Sequence, residues 1–435
     1  MHVVMFGDQH AETLGGAQVS MRLQRRFLEK AGHTVTIVAP ARHGPRARAA
    51  SSDPAYLDLP SFPVTADREY SMTWPGRRID RRLDAAMAAR APVDVVHIQA
   101  DFWGALIGYR FAGRHGIPVV HTMHNRLDVG IEATTPFPGV VLRMLNAWQR
   151  RMLGTGDARA RQGDDGWAYL RRFAARAAAV TAPSAHFARR LEEHGVLPGA
   201  GPRAGGAGRP AAVDVIWNGI DDDVLDEVLT SAGGAAASST DGAAASADDA
   251  AAGGAPRRPR FVWLGRMSPE KRLLPFLEAL AASDVDAQVE IVGGGGQQRA
   301  AQRLVEKLRP RATVIFAGRM PYARTLRRIA AADAVVQTSI GFETQGMTIF
   351  EAASLGTPSI VSDPDLAAEL GSGLWAVGHW VTPDPSVAAL ADALRAAASD
   401  ISAGTPRVPD PEVRDRFRQS SRTAAMVEVY DRVTS

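Results

Sequence analysis

Apolar positions in this chain fall in short continuous runs separated by amphipathic stretches. Residues 2–6 (HVVMF) are followed by a loop from Gly7 to Gly16 and an amphipathic stretch from Ala17 to Lys30. Gly32 then stops the stretch, and a second run, TVTIVAP, fills 34–40. That order predicts strand, loop, helix and strand, a βαβ unit. The rhythm continues with strands predicted at 93–99, 117–124 and 178–184 and helices at 104–115 and 185–194. Val and Ile run together without polar alternation, as expected of strands covered on both faces. The second half restarts the pattern. Strands are predicted at 260–266, 288–295, 313–319, 334–339 and 358–363, and helices at 271–282, 297–308, 322–331, 347–355 and 384–398. Residues 412–433 read as one closing helix. Two consecutive parallel α/β sheets therefore account for most of the chain, and no solenoid period is present.

Two segments break the rhythm. Residues 199–212 are rich in Gly, Pro and Ala. Residues 231–256 are almost wholly Ala, Gly, Ser and Asp. Such a composition buries too little apolar area to offset chain entropy, so both are expected to be mobile insertions. The expected division is a first domain at 1–212, joined by the closing segment 413–435, and a second domain at 213–412. A length of 435 residues suits two or three domains.

Charge sharpens this division. Residues 1–212 hold 28 Lys and Arg against 18 Asp and Glu, a balance of +10. Residues 213–435 hold 22 against 29, a balance of −7. A basic first body and an acidic second one suggest different partners. Lys30, Lys271 and Lys307 are the only lysines among 50 basic residues, which makes each of them informative. The absence of cysteine excludes disulfide scaffolds, thiolate nucleophiles, zinc-thiolate sites and iron–sulfur clusters. MHVVMFGD has no basic region before its apolar residues, so no secretory leader is expected, and no run approaches 18 apolar residues.

Five constellations could carry chemistry. Gly15 and Gly16 follow the first strand, where glycine lets backbone N–H groups approach a phosphate at a helix start; a plain βα turn uses the same residues. GGGG at 293–296 lacks the spacing of a dinucleotide fingerprint and suits a turn beside a ligand's base. GRMSPEK at 265–271 puts Arg266 and Lys271 just past a strand's carboxyl end, where guanidinium and ammonium can meet phosphate. GFETQGMTIFEAASLG holds Glu343 and Glu351 eight residues apart. Eight helical steps rotate roughly 80°, so a loop carrying Glu343 followed by a helix from Gly346 to Gly356 fits better than one helix. That helix would aim the N–H groups of Gly346, Met347 and Thr348 at an anion. Finally, His124 ends the strand IPVVHTMH at the sheet's carboxyl edge, whereas His97 and His121 lie within strands as core residues. Asp221–Asp223 read as solvated acids rather than a metal site.

Taken in order, Gly15-Gly16, GHTVTIVAP (32–40), DVVHIQ (94–99), HTMH (121–124), VTAPS (180–184), NGID (218–221), GRMSPEK and the paired glutamates span almost the whole chain. This ordered set resembles the retaining glycosyltransferases of the GT-B fold, the family-four group. HTMHN followed by an amphipathic stretch is similar to bacterial transferases that act on diacylglycerol-type lipid acceptors. The resemblance implies an α/β protein of two facing Rossmann-like domains with a C-terminal helix crossing back to the first. It implies a nucleotide-sugar donor, UDP- or GDP-linked, no required cofactor or metal, and transfer to a lipid or glycan hydroxyl with retention of configuration. By the same resemblance Gly16 meets the donor diphosphate and His124 the donor sugar. Arg266 and Lys271 neutralise the diphosphate, Glu343 binds sugar hydroxyls and Glu351 the ribose. Trp217 stands where the family has proline.

Several expectations about partners follow. GVVLRMLNAWQRRML (139–153) sets Val141, Leu142, Leu145, Trp148 and Met152 at helical spacing with Arg143, Arg150 and Arg151 beside them. It could face an anionic membrane or pack in the domain with a solvated basic edge. The expected location is the cytoplasm, either free or in peripheral contact with the inner face of the cell membrane, with no nucleic-acid partner. A nucleotide-sugar epimerase of the same fold, or a non-catalytic membrane-associated protein with a vestigial site, remain the alternatives.

Overall fold

In this computed structural model the structure describes residues 1–13, 16–43, 53–65, 68, 70–154, 163–199, 212–238, 258–370 and 378–435. The chain forms two compact units, residues 1–219 with 419–435, and residues 220–418.

The first unit opens with β1 (His2–Gly7), α1 (Gly16–Lys30) and β2 (Thr34–Pro40), the expected βαβ. β3 (Tyr56–Leu59), the small antiparallel pair β4 (Phe62–Pro63) and β5 (Ser71–Met72), and α2 (Arg77–Ala88) follow. β6 (Val95–Gln99), α3 (Trp103–His115) and β7 (Val119–Thr122) continue the series, with α4 (Leu127–Thr134), α5 (Pro138–Leu153) and α6 (Gly166–Ala174) next. β8 (Ala179–Ala182), α7 (Ala185–Glu193) and β9 (Asp214–Val215) complete the sheet. Among the described residues the strands lie in the order β3-β2-β1-β6-β7-β8-β9, all parallel. β9 pairs with β8, which ties residues 214–215 to this sheet and carries the first unit to Gly219, beyond the expected boundary at 212.

Alternation along β1 explains its unbroken apolar run. Val4 and Phe6 join one core with α2, α3, α6 and α7, while Val3 and Met5 join another with Met21 and Leu28 of α1. Both faces are dry, so a polar residue there needs an internal partner, as His2 finds in Thr36 and the Ala91 carbonyl. Each fully buried aliphatic side chain contributes ~1.5–3 kcal/mol relative to exposure.

The second unit begins with α8 (Asp222–Ser238) and β10 (Arg260–Arg266). A single 3-10 turn (Pro269–Lys271) leads into α9 (Leu273–Ser283), followed by β11 (Gln288–Gly294) and α10 (Gln298–Leu308). β12 (Thr313–Gly318), α11 (Tyr322–Ala331), β13 (Ala334–Gln337), α12 (Met347–Ser354) and β14 (Ser359–Val361) come next. α13 (Pro364–Glu369), β15 (Trp380–Val381), α14 (Val387–Ser402) and α15 (Glu412–Phe417) complete it. The described strands again lie parallel, in the order β12-β11-β10-β13-β14-β15. Each sheet therefore reverses its strand order once, between β1 and β6 in the first and between β10 and β13 in the second.

Four expectations change. The closing helix is broken: α15 belongs to the second unit, and α16 (Gln419–Thr434) belongs to the first. Arg418 between them is extended, bridges Ile220 through its backbone and binds Asp226 at 2.6 Å, so tertiary pairing overrides helix propensity. α15 packs on α12 through Phe417 and Phe350, 5.1 Å apart, and α16 adds Met426, Val429, Tyr430 and Val433 to the second core of the first unit. The 231–256 segment starts as helix, because α8 runs on to Ser238 from the packed Leu225 and Val228. Its remainder, 239–256, and residues 200–211 lie outside the described residues. Asp221 is buried rather than solvated and accepts the Asp223 N–H at 3.1 Å, capping α8. On α5, Leu145, Trp148 and Met152 pack on the core. The exposed apolar side is instead Phe137, Val140 and Met144, 70%, 48% and 67% exposed. No helix of the described residues is long and apolar enough to cross a membrane. Trp217 is buried beneath the Arg422 guanidinium of α16.

Candidate functional site

β10 and β13 flank the strand-order reversal of the second sheet, and ligands of such sheets bind at that carboxyl edge. Arg266 ends β10, exposed and without an ion pair among the described residues. Lys271 closes the following 3-10 turn. Its Nζ bonds the carboxylate of Glu343, which lies in the loop after β13. The Glu343 Oε1 atom also accepts from Ser339 Oγ at 2.7 Å, and the Phe342 ring lies 5.7 Å from the ammonium. The pair is half-buried, so the protein supplies opposite charges side by side at a solvent-reached edge.

The helix expected after Glu343 is α12. Gly346 caps it with φ 72°, a left-handed conformation that glycine adopts without strain. Met347 and Thr348 form its first turn, where N–H groups lack intrahelical acceptors. Glu351 is buried one turn further on and accepts the Tyr322 hydroxyl of α11 at 2.8 Å. Burial raises its pKa above the usual carboxylate range. Lys271 and Glu343 are thus brought together, while Glu351 bonds elsewhere. The glycine run serves backbone contact: a Cβ on Gly293 would sit 1.9 Å from Gly265 O, and Met267 N–H donates to Gly294 O at 3.1 Å.

In the first unit Gly15 lies outside the described residues. Gly16 is the first residue of α1, and an added Cβ there would meet nothing within 4 Å. His124, two residues past β7, has Nε2 3.4 Å from Gln99 Oε1, and burial pushes its pKa down to about 4, leaving it neutral at neutral pH. Gln99 donates to Gln24 at 2.6 Å; beside it, His97 contacts the Tyr430 hydroxyl and Thr122, each at 2.7 Å. His97 and His121 are satisfied core residues, both pushed down to about 3 by burial.

Two acids at this edge escaped the sequence reading. Asp8 accepts N–H groups of Asp101, Phe102 and Gly104 at 2.7, 3.0 and 2.8 Å, capping α3 from a distant loop. Burial raises it to about 6 despite these bonds. Asp101 rises to about 7, through burial and then the charge of Asp8; Asn125 donates to its Oδ2 at 2.5 Å, and its buried Oδ1 has no partner among the described residues. The available signal was position: each is a lone acid directly past an apolar strand, in FGD and QAD. No group of three or more His, Asp and Glu among the described residues could hold a metal ion.

The sequence profile of the family described as Glycosyltransferase Family 4 matches residues 14–224, and that of Glycosyl transferases group 1 matches residues 247–422. The chain belongs to the family-four group of GT-B glycosyltransferases. Among solved structures, this glycosyltransferase is similar to Anabaena HepE, solved with UDP and glucose (TM-score 0.63, 16% identity, 99% of each chain). It is also similar to the sucrose-phosphate synthase of Thermosynechococcus elongatus (TM-score 0.66, 16% identity, 99% of this chain and 98% of that one). Among curated proteins, the alpha-monoglucosyldiacylglycerol synthase of Streptococcus pneumoniae (strain ATCC BAA-255 / R6) is 27% identical over 128 residues. That match spans 29% of this glycosyltransferase and 27% of the relative's length.

Proposed function

We propose that this glycosyltransferase moves a sugar from a UDP- or GDP-sugar to an acceptor hydroxyl with retention of configuration. The Lys271–Glu343 pair at the strand-order reversal of the second sheet carries the reading. A donor diphosphate would take Lys271, with Arg266 and the N–H groups at the start of α12 completing its charge balance. Glu343, released from the ammonium, would accept sugar hydroxyls, and Glu351, backed by Tyr322, the ribose. In the first unit Gly16 would offer its backbone to the diphosphate, and neutral His124 a hydrogen bond to the sugar. Gly15 stays in the proposed diphosphate turn on its sequence position alone. The bond from anomeric carbon to diphosphate oxygen breaks, the acceptor oxygen bonds the same face, and its proton passes to the departing phosphate. Positive charge placed where negative charge develops supplies most of the acceleration.

The lipid acceptor is supported by the diacylglycerol-glucosylating relative and by the surface of the first unit. Phe137, Val140 and Met144 lie exposed beside Arg143 and Arg151. On α2, Arg77, Arg78, Arg81 and Arg82 are exposed, while Asp80 and Asp84 are already paired with Arg110, Arg114 and His115. Among the described residues the first unit thus carries unpaired positive charge on α2 and an exposed apolar strip with arginines on α5, the two ingredients that bind anionic bilayers.

The test is a nucleotide-sugar assay with and without diacylglycerol in vesicles. Nucleoside diphosphate should be released only with acceptor present, and the product should keep the donor's anomeric configuration by NMR. Equal conversion of the nucleotide sugar without acceptor would point to an epimerase instead. Co-sedimentation should favour anionic over neutral vesicles, and Phe137→Asp with Met144→Asp should abolish that preference.

A further inference from the structure

The turn that carries Lys271 has little of its own to hold it. It is a single 3-10 turn with no buried side chain. The next residue, Arg272, sits at φ 54°, a costly conformation for a residue with a side chain. Arg272 donates to the Pro385 carbonyl at 2.7 Å, and a second anchor comes from the residue just past β13. The Lys271 carbonyl accepts a 2.7 Å hydrogen bond from Thr338 Oγ1, and the same hydroxyl accepts one of 2.9 Å from Trp263 Nε1. Trp263 and Thr338 are each 1% exposed. An indole N–H only donates and a carbonyl only accepts, so the hydroxyl between them has one possible orientation. The following residue, Ser339, donates to the Glu343 carboxylate that holds the Lys271 ammonium. Two successive side chains thus grip the two partners of the pair, one through backbone and one through carboxylate.

We propose that Thr338 is a positioning residue whose hydroxyl, oriented by buried Trp263, fixes the Lys271 backbone and so the place where the ammonium meets an anionic ligand. The functional half of this inference rests on Lys271 binding the donor; the structural half does not. Valine at 338 would keep the shape but leave the Lys271 carbonyl and the Trp263 N–H without their partner. Serine would keep the hydroxyl.

Because the chain has three lysines, reductive 13C-methylation of the full protein gives three lysine side-chain signals beside the terminal amine. Lys271→Arg assigns the relevant one, and the dimethylated ammonium keeps its charge. Thr338→Val should shift or broaden the Lys271 signal while leaving those of Lys30 and Lys307 in place, and Thr338→Ser should restore it. Should Thr338→Val fail to fold, Trp263→Phe should move the same signal. For the donor, kcat/KM should fall about 3–15-fold in Thr338→Val, mostly through KM, and less than about twofold when Lys271 is already alanine. An unmoved Lys271 signal, or an equal loss in the Lys271→Ala background, overturns the proposal. A moved signal with donor kinetics unchanged in both Thr338→Val and Lys271→Ala overturns the donor role of Lys271, and with it the functional half.

Discussion

At the carboxyl edge of the first sheet the polar groups are bonded to the protein itself, with Asp101 and His97 buried and Asp8 and His124 half-buried. Asp8 takes three backbone N–H groups, Asp101 takes Asn125, and His97 meets Tyr430 and Thr122. At the corresponding edge of the second sheet Arg266 is exposed, and Lys271 and Glu343 stand half-buried, charge against charge. Both edges follow the same parallel topology with one reversal of strand order. Topology therefore supplies the place, and desolvation decides the chemistry. Burial raises the acids of the first edge and lowers its histidines, so that edge tends toward neutrality and suits hydrogen bonding to uncharged hydroxyls. The second keeps charges within reach of solvent, where a diphosphate can exchange with a carboxylate.

The hardest test of this contrast is Lys271→Ala. If the second edge holds an anion, losing a charge-assisted bond should lower donor kcat/KM by about 10–150-fold. Unchanged kinetics across donor concentrations would remove Lys271 from the site.

A finer cut separates the two glutamates. Glu343→Gln should lower kcat by about 10-fold or more without weakening calorimetric affinity for the free nucleoside diphosphate, which lacks the sugar and no longer has to displace a carboxylate from Lys271. Glu351→Gln should instead weaken diphosphate binding by about 10-fold. The reverse pattern would falsify this assignment of roles even with the fold intact.

A stability measurement probes the first edge. Asp101 is raised from 3.8 to about 7, so folding takes up a proton and its contribution to stability declines as pH climbs through that window. The lowered histidines act oppositely, costing stability as pH falls below their unfolded value of 6.5. Asp101→Asn removes only the first effect. Its melting temperature relative to wild type should be nearly unchanged at pH 4, rise between pH 4 and 7, and level off beyond. The gain at pH 8 should reach up to about 4 kcal/mol, or roughly 8–16 °C. A gain independent of pH would show that Asp101 is not carrying a buried charge.

Part of the site was legible in the residues themselves. The helix from Gly346 toward Gly356 was readable because glycines bound it and because Glu343 and Glu351 do not share a face of one helix. Lys271 stood out in a chain that otherwise writes arginine. Asp8 and Asp101 were missed because a lone acid after a strand looks like any solvated loop residue until α3 is seen to start against it. The α5 face stays open between membrane and core in the sequence because Val140 and Met144 complete an apolar stripe as well as Leu145 and Trp148 do; the neighbouring core selects which side turns inward.

The order of elements and the two parallel sheets were determined by the sequence alone. A strand dry on both faces must be apolar wherever the fold offers no hydrogen-bond partner, and that demand is written locally as near-continuous apolar runs. Tertiary structure alone decided that Arg418 breaks the closing helix to pair with Asp226, that Glu351 bonds Tyr322, and that Lys271 meets Glu343, 72 residues away. Each depends on a partner remote in sequence and on how much water the fold removes between them, and neither quantity is carried by the local pattern of the chain.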